Sequence, residues 1–393
     1  MDLVHHAFGD EYLALQCIIT AACILGLSLV LTPSLAKVAR RFHLLAPVRD
    51  RDVHKRPVPY LGGVAIFIAF FAGMVLFMPL TGARHDALNT SFQIGWQTLK
   101  QFRGLLLGAT IAVLVGVVDD VLTSRNTRGL RPSVHFLGQL LAAAAALFGG
   151  LDPVRGVSNP LSSLHFIYAQ PEKHLQILLT PSFLGISLGM AFTMFWIVGM
   201  MNTVNFMDGL DGLAGGVVMI VAVLLAIWSG WTHGQGATTL LGSQVLLLPP
   251  LILAAALLGF LVYNWSPARI FMGDSGAQFS GFTLGVLAIL GPAKIGTALL
   301  ILTVPILDIA WVFIRRPIEG KPFFKADNEH LHHRLLQRGF STRQIVLIFY
   351  GICIALGAID LAVDKAIKLV AFLAVVALTL TVLISMTAWK PQT

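Results

Sequence analysis

Charge is what this chain lacks. Only 12% of its 393 residues are Asp, Glu, Lys or Arg, against 56% hydrophobic ones, and the mean hydropathy is +0.80. A water-soluble domain carries roughly 25% charged residues, so a soluble globular fold is excluded. Cysteine is scarce as well. Cys17, Cys23 and Cys353 each sit inside an apolar stretch without metal-site spacing and read as buried, inert thiols. Positive charge is missing where a cleavable signal would need it, since the first residues carry Asp2, Asp10 and Glu11, so no signal peptide is expected. Nor are there alternating strands of about ten residues, which excludes a closed barrel. No motif supports a nucleic-acid partner.

What the chain has instead is long apolar runs. A bilayer-crossing helix needs roughly 20 mainly apolar residues. About eleven segments approach that, near 11–33, 60–80, 104–119, 134–150, 183–201, 213–230, 238–262, 279–292, 295–314, 344–360 and 367–388. The expectation is an all-α, polytopic integral membrane helical bundle of about 11 transmembrane helices. It forms one domain over 1–393, with its motifs in about 40–340 and two further helices in 344–393. If the N-terminus is outside, the loops at 34–59, 120–133, 202–212, 263–278 and 315–343 and the C-terminal tail face the cytoplasm. They hold about 19 of the 27 Lys and Arg residues. Positive-inside bias then predicts N-terminus out and C-terminus in, with basic loops against the anionic lipid bilayer surface.

The polar clusters fall in loops on that same side. They are HKRPVPYLGG (54–63), VGVVDDVL (115–122), MNTVNFMDGLDGLAGG (201–216), NWSPARIFMGDSGAQFSG (264–281) and KPFFKADNEHLHHRLLQRG (321–339). Convergence of helix ends from distant parts of the chain predicts one assembled active site. Asp50, Asp52, Asp327 and Glu329 read as ordinary capping or solvated carboxylates. Asp119, Asp120, Asp208, Asp211 and Asp274 differ, because they flank apolar runs without adjacent Lys or Arg. Gathered together they would repel and protonate unless a cation compensates. A hard divalent ion, Mg²⁺ or alternatively Mn²⁺, suits them.

Asn202, Asn205, Asp208 and Asp211 recur every three residues, one polar stripe if the segment is helical. Their oxygens suit Mg²⁺, which keeps waters and takes one or two carboxylates plus substrate phosphates. The glycines that follow allow either a break between helical pieces or close helix packing. Phe271 stands three residues before Asp274, a spacing that lets a ring and a carboxylate serve one nucleotide, although alone it would be ordinary core. Ser275 and Gly276 begin a helix whose free N–H groups can receive a phosphate. His330, His332 and His333 lack HExxH-type zinc spacing. His330 and His333 share a helix face at i, i+3. Beside Mg²⁺ the histidines fit a diphosphate, in a positive patch reinforced by Arg334, Lys325 and Arg338.

These motifs together resemble the polyprenyl-phosphate N-acetylhexosamine-1-phosphate transferases, with VPYLGG, GVVDD, NTVNFMDGLDGLAGG, RIFMGDSG and ADNEHLHHRLLQRG in the family's order. HLHH looks like the HIHH element of the branch that transfers N-acetylglucosamine 1-phosphate to undecaprenyl phosphate. The resemblance implies a multi-pass enzyme of the bacterial cytoplasmic membrane with its site facing the cytoplasm. It implies a UDP-N-acetylhexosamine donor, an undecaprenyl phosphate acceptor and a role in starting an envelope polysaccharide such as O-antigen or a teichoic-acid-like polymer. Residue by residue, it implies Asp274 as Mg²⁺ ligand, with Asn205 beside the metal or diphosphate. Asp208 and Asp211 match the nucleotide end, Phe271 the uracil-stacking ring, and Asp119, with Asp120 next to it, the residue that deprotonates or holds the lipid phosphate. His330, His332 and His333 match the diphosphate motif, and Arg56, with Lys55 adjacent, stands in the basic loop where the family often has Lys. His135 stands where the family often has Lys, and Ala277 where it has a small polar residue. A direct displacement at phosphorus is expected, with a covalent intermediate on Asp119 or Asp120 as the other route. Rival readings are the phospho-N-acetylmuramoyl-pentapeptide transferase branch, an intramembrane prenyltransferase and a cation-coupled transporter. Monomer and homodimer are both open.

Overall fold

The computed structural model describes residues 11–47, 57–82, 90–125, 129–154, 183–234, 240–291, 294–318, 320, 330–363 and 365–388. Among them the helices are α1 (Glu11–Arg41), α2 (Gly62–Gly82), α3 (Thr90–Ser124), α4 (Pro132–Gly149), α5 (Phe183–Met207), α6 (Leu213–Gly234), α7 (Leu240–Asn264) and α8 (Gly273–Leu290). They continue with α9 (Lys294–Ile301), α10 (Thr303–Ile318), α11 (Leu331–Gln337), α12 (Thr342–Ala362) and α13 (Lys365–Ala388). The described residues contain no strand, only an isolated bridge between Leu45 and Pro59. The protein is an all-α, polytopic membrane protein.

Each of the eleven apolar runs coincides with helix, but fewer meet the demands of a span. Among the described residues eight helices are long and apolar enough, or nine if α9 and α10, bent by 77° at a short break, count as one. The other two are α2 and α8. The described side chains of α2 form a shorter apolar stretch, Gly62–Phe77. α8 opens with the polar sequence GDSGAQFS.

The chain divides into two compact units, one of residues 1–152 and 194–295, the other of 153–193 and 296–393. In the first, α8 is the axis. It is buried along nearly its whole length, and α2, α3, α4 and α6 pack around it. Lipid tails are as apolar as leucine, so such contacts rest on close packing and interhelical hydrogen bonds. Phe279 packs edge-on against Phe67 and Phe70, each with centroids 5.5 Å away, and Trp196 Nε1–H donates to the Gly285 carbonyl at 2.9 Å. At its start α8 is approached by bare backbone. A Cβ on Gly63 would collide with the Gly276 backbone, and one on Gly116 with that of Ser275.

In the second unit α10 packs on α13 and α11 on α12. Asp360, 2% exposed, accepts from Thr297 Oγ1 at 2.9 Å and pairs with Lys368 Nζ at 3.2 Å. Ser341 and Gln344 close a capping box at the start of α12. Cys17 and Cys353 are buried as expected, whereas Cys23 is exposed. The expectation of three buried thiols is corrected there, because Cys23 lies on a face of α1 that the described helices leave uncovered.

Candidate active site

The site of the first unit begins with two latched turns. α5 ends at Met207, so the anticipated stripe breaks: Asn202 and Asn205 ride its last turns, and Asp208 and Asp211 lie in the turn that follows. Gly212, at φ 81, closes that turn, and its N–H donates to Asn264 Oδ1 at 2.9 Å. Asn264 Nδ2 donates to the Ile270 carbonyl at 2.9 Å. Asp211 Oδ2 accepts from the Ala268 N–H, also at 2.9 Å. Asp211 and Asn264 thus tie the turn before α6 to the one after α7.

The segment leading into α2 fixes the residues leading into α8. Phe271 N–H donates to the Pro59 carbonyl at 2.9 Å and its carbonyl accepts from Gly62 N–H at 3.1 Å, while Gly63 N–H reaches the Met272 carbonyl at 2.9 Å. Phe271 stays half-buried, with Tyr60 tilted against it at 6.4 Å. Gly273, at φ 68, makes the turn into α8; a Cβ there would lie 2.6 Å from Asp120 Oδ2, so the left-handed backbone and the close approach both call for glycine.

Asp120 occupies the start of α8. It is 3% exposed; its Oδ1 accepts from Asp274 N–H at 2.8 Å and its Oδ2 from Ser275 N–H at 3.2 Å. A carboxylate there satisfies N–H groups that lack intrahelical partners and complements the helix dipole. The expectation that the Ser275 N–H is free for a phosphate is corrected: the protein's own aspartate takes it. With its backbone fixed, Asp274 has Oδ1 hydrogen-bonded by Asn205 Nδ2 at 2.8 Å and Oδ2 3.6 Å from His135 Nε2. Asp119 lies beside Asp274. Asp119 Oδ1 accepts from Leu130 N–H at 2.5 Å and Oδ2 from Thr123 Oγ1 at 3.5 Å. Asp208 accepts no side-chain hydrogen bond among the described residues. Desolvation pushes its carboxyl well above the ordinary aspartate value, and the negative charges of Asp120 and Asp211 add to that.

Asn202 is placed differently from its sequence expectation. Its Nδ2 donates to Gln139 Oε1 at 2.9 Å, while Gln139 Nε2 donates to Asn202 Oδ1 at 3.2 Å and to Gln278 Oε1 at 3.0 Å. The amide of Asn202 is engaged in this network between helices. Lys55 and Arg56 lie outside the described residues.

The histidine motif belongs to the second unit. His330 is not part of a helical face shared with His333, because it is the N-cap, with φ −62 and ψ 152, and α11 starts at Leu331. The His330 and His332 rings stack 5.8 Å apart at 2°, and His332 and His333 are 4.4 Å apart. His332 is 3% exposed. Burial, then the neighbouring imidazoles of His333 and His330, hold it well below the ordinary histidine value. Arg334, on the same short helix, is buried too. Asp308 on α10 anchors the motif: its Oδ2 lies 3.0 Å from His330 Nδ1, and its Oδ1 accepts from Leu331 N–H at 2.9 Å.

Gln139, Asn264, Gln278 and Asp308 escaped the reading of the sequence. Asp308 had left a signal, as a lone carboxylate within the apolar run VPILDIAWV. Among the described residues no three His, Cys, Asp or Glu side chains form a closed metal cage. Mg²⁺ commonly takes only one or two carboxylates, completed by waters and substrate phosphates. Asp274, steadied by Asn205 and with Asp119 alongside, fits that mode.

Residues 102–292, which include every described site residue of the first unit from Asp119 to Asp274, match the model of glycosyl transferase family 4. Over 342 residues the chain is 31% identical to a probable undecaprenyl-phosphate N-acetylglucosaminyl 1-phosphate transferase of Bacillus subtilis (strain 168), covering 85% of this chain and 81% of that protein. It is 32% identical over 342 residues to the decaprenyl-phosphate N-acetylglucosaminephosphotransferase of Mycobacterium tuberculosis (strain ATCC 25618 / H37Rv), covering 80% and 74%. A phospho-N-acetylmuramoyl-pentapeptide-transferase of Staphylococcus carnosus (strain TM300) is 26% identical over 344 residues, covering 85% and 95%. The chain belongs to glycosyl transferase family 4.

Proposed function

We propose that this protein transfers N-acetylglucosamine 1-phosphate from UDP-N-acetylglucosamine to undecaprenyl phosphate, releasing UMP. The observation that carries the reading is the gathering of Asp119, Asp120, Asn205, Asp208 and Asp274 at the start of α8. Membership of the family supports it, as does the higher identity to the two N-acetylglucosamine enzymes than to the muramoyl-pentapeptide one. The bias of basic residues favours placing the site at the cytoplasmic face of the inner membrane, where a nucleotide sugar is at hand.

An oxygen of the lipid phosphate attacks the β-phosphorus of the donor; a new P–O bond forms and the bond to the bridging oxygen of UMP breaks. Two anions must meet, so charge neutralisation and alignment dominate. Bound at Asp274, Mg²⁺ would supply charge neutralisation for the diphosphate. Asn205 and the backbone of α8 keep Asp274 oriented. The second pKa of a phosphate monoester is near 6, so the acceptor is mostly dianionic at neutral pH and Asp119 need only position it. Both oxygens of Asp120 are engaged by backbone N–H groups, which favours direct displacement over a covalent intermediate on that residue.

Purified protein supplied with undecaprenyl phosphate and a panel of UDP-sugars should release UMP from UDP-N-acetylglucosamine in a Mg²⁺-dependent way. Release only from the UDP-muramoyl-pentapeptide would move the protein to the other branch, and no release from any UDP-sugar would end the transferase reading.

A further inference from the structure

We infer that Asp308 is a positioning residue for His330: it fixes which ring nitrogen carries a proton and which way the ring faces. The inference rests on the reading of the histidine motif as part of the transferase machinery. The geometry is specific. Asp308 is 7% exposed and His330 likewise 7%, and one carboxylate makes two contacts on adjacent residues, to His330 Nδ1 at 3.0 Å and to Leu331 N–H at 2.9 Å. An ionised carboxylate has only acceptors, so Nδ1 must be the donor of that contact. The proton on Nδ1 makes Nε2 the acceptor nitrogen of the ring. The bond to Leu331 N–H starts α11 at the residue after His330, so ring and helix are held by a single group. A carboxylate in this apolar helix, used only to cap a helix of two turns, would be an expensive device. Holding a functional ring gives it a further role.

Asp308→Asn separates the two tasks. Asparagine is as good a helix cap as aspartate, so its carbonyl can keep Leu331 N–H, but its amide offers His330 Nδ1 a donor and favours the opposite tautomer. We expect Asp308→Asn to lower kcat on the order of 10- to 100-fold, the scale of loss when the hydrogen-bond partner of a metal-ligating histidine is removed, with KM for UDP-N-acetylglucosamine and the melting temperature near the parent's. In the His330→Ala background the same change should alter kcat by less than about 2-fold, since a residue acting through another is non-additive with it. Losses that multiply, or an Asp308→Asn enzyme with parental kcat, would overturn the inference. A His330→Ala enzyme with full activity would instead remove the histidine from the reaction, and parent protein that releases no UMP would undo the transferase reading itself. A measurement on the parent protein needs no folded Asp308 variant. The ¹⁵N spectrum of ring-labelled parent protein, with His330 assigned by its loss in His330→Ala, should show a protonated Nδ1; an unprotonated Nδ1 overturns the inference.

Discussion

Replacing Asp120 by asparagine separates a scaffold role from a chemical one. In the parent, both carboxylate oxygens accept backbone N–H groups at the start of α8, at 2.8 and 3.2 Å, and the side chain is 3% exposed. A hydrogen bond to a charged partner contributes about 1.5–3 kcal/mol. Asparagine keeps one acceptor and turns an NH₂ toward the other N–H, so one bond is lost and a buried donor faces a donor. The lost charge also removes about 0.3–1 kcal/mol of helix-dipole stabilisation. Against this, repulsion with Asp208 is relieved. The net expectation is a loss of about 2–3 kcal/mol, with Asp274 displaced because its own N–H is one of the two that the carboxylate holds. Thermal unfolding in detergent should therefore show a clear drop in melting temperature together with a large loss of UMP release. Asp120→Asn protein that melts with the parent yet is inactive would refute this reasoning and point to a direct chemical role for the carboxylate.

Other consequences follow from the same geometry. Asp274→Asn should insert and fold normally but release almost no UMP; retained activity would take the metal away from this residue. Asp208, with its raised pKa, contributes stability that is fully present below the unfolded value near 3.8 and lost as pH rises through the folded one. Cation-free protein should lose melting temperature across that rise, Mg²⁺ should restore it, and a Mg²⁺-indifferent curve would contradict the site. His332 has its pKa held low, so its contribution is present above the unfolded value of 6.5 and falls away as pH drops toward the folded one; His332→Gln should flatten that acid limb. Gln139→Leu leaves the polar groups of Asn202 and Gln278 short of partners and should cost about 1–3 kcal/mol, visible as a lower melting temperature, and an unchanged melt would show the network to be idle.

Much of the fold was legible because the bilayer imposes length: each apolar run became helix. Composition could not weigh α8, whose polar first half belongs to the site although its residues are the most enclosed of the first unit. The Asn-Asp stripe was legible as a cluster but not as a shape, since period three also suits one and a half helical turns followed by a tight turn. The Gly212 conformation that ends it depends on Asn264, 52 residues away. The double glycine 62–63 was read as motif; its cause is an encounter with the backbone of Phe271 and Gly276. Asp308 left a visible trace, whereas the partners of Gln139 lie 63 and 139 residues from it, and no spacing rule pairs them.

The aspartates of the first unit are one residue type set to different work by how their oxygens are occupied. Asp120 receives two backbone N–H groups and Asp211 receives Ala268 N–H, so each holds backbone in place. Asp274 and Asp119 each have one oxygen firmly held, at 2.8 and 2.5 Å, and their carboxyl groups lie beside each other, with Thr123 Oγ1 3.5 Å from Asp119 Oδ2 and His135 Nε2 3.6 Å from Asp274 Oδ2. Asp208 accepts no side-chain hydrogen bond among the described residues. A carboxylate saturated by N–H groups has little capacity left for a cation, whereas a half-held one is oriented and still able to bind. Loss of a saturated aspartate should therefore act first on stability, and loss of a half-held one first on turnover. Asp120 and Asp211 thus form a frame and Asp119 and Asp274 a working pair, although all four look alike in the sequence, and the order of damage between Asp120→Asn and Asp274→Asn decides whether that separation is real.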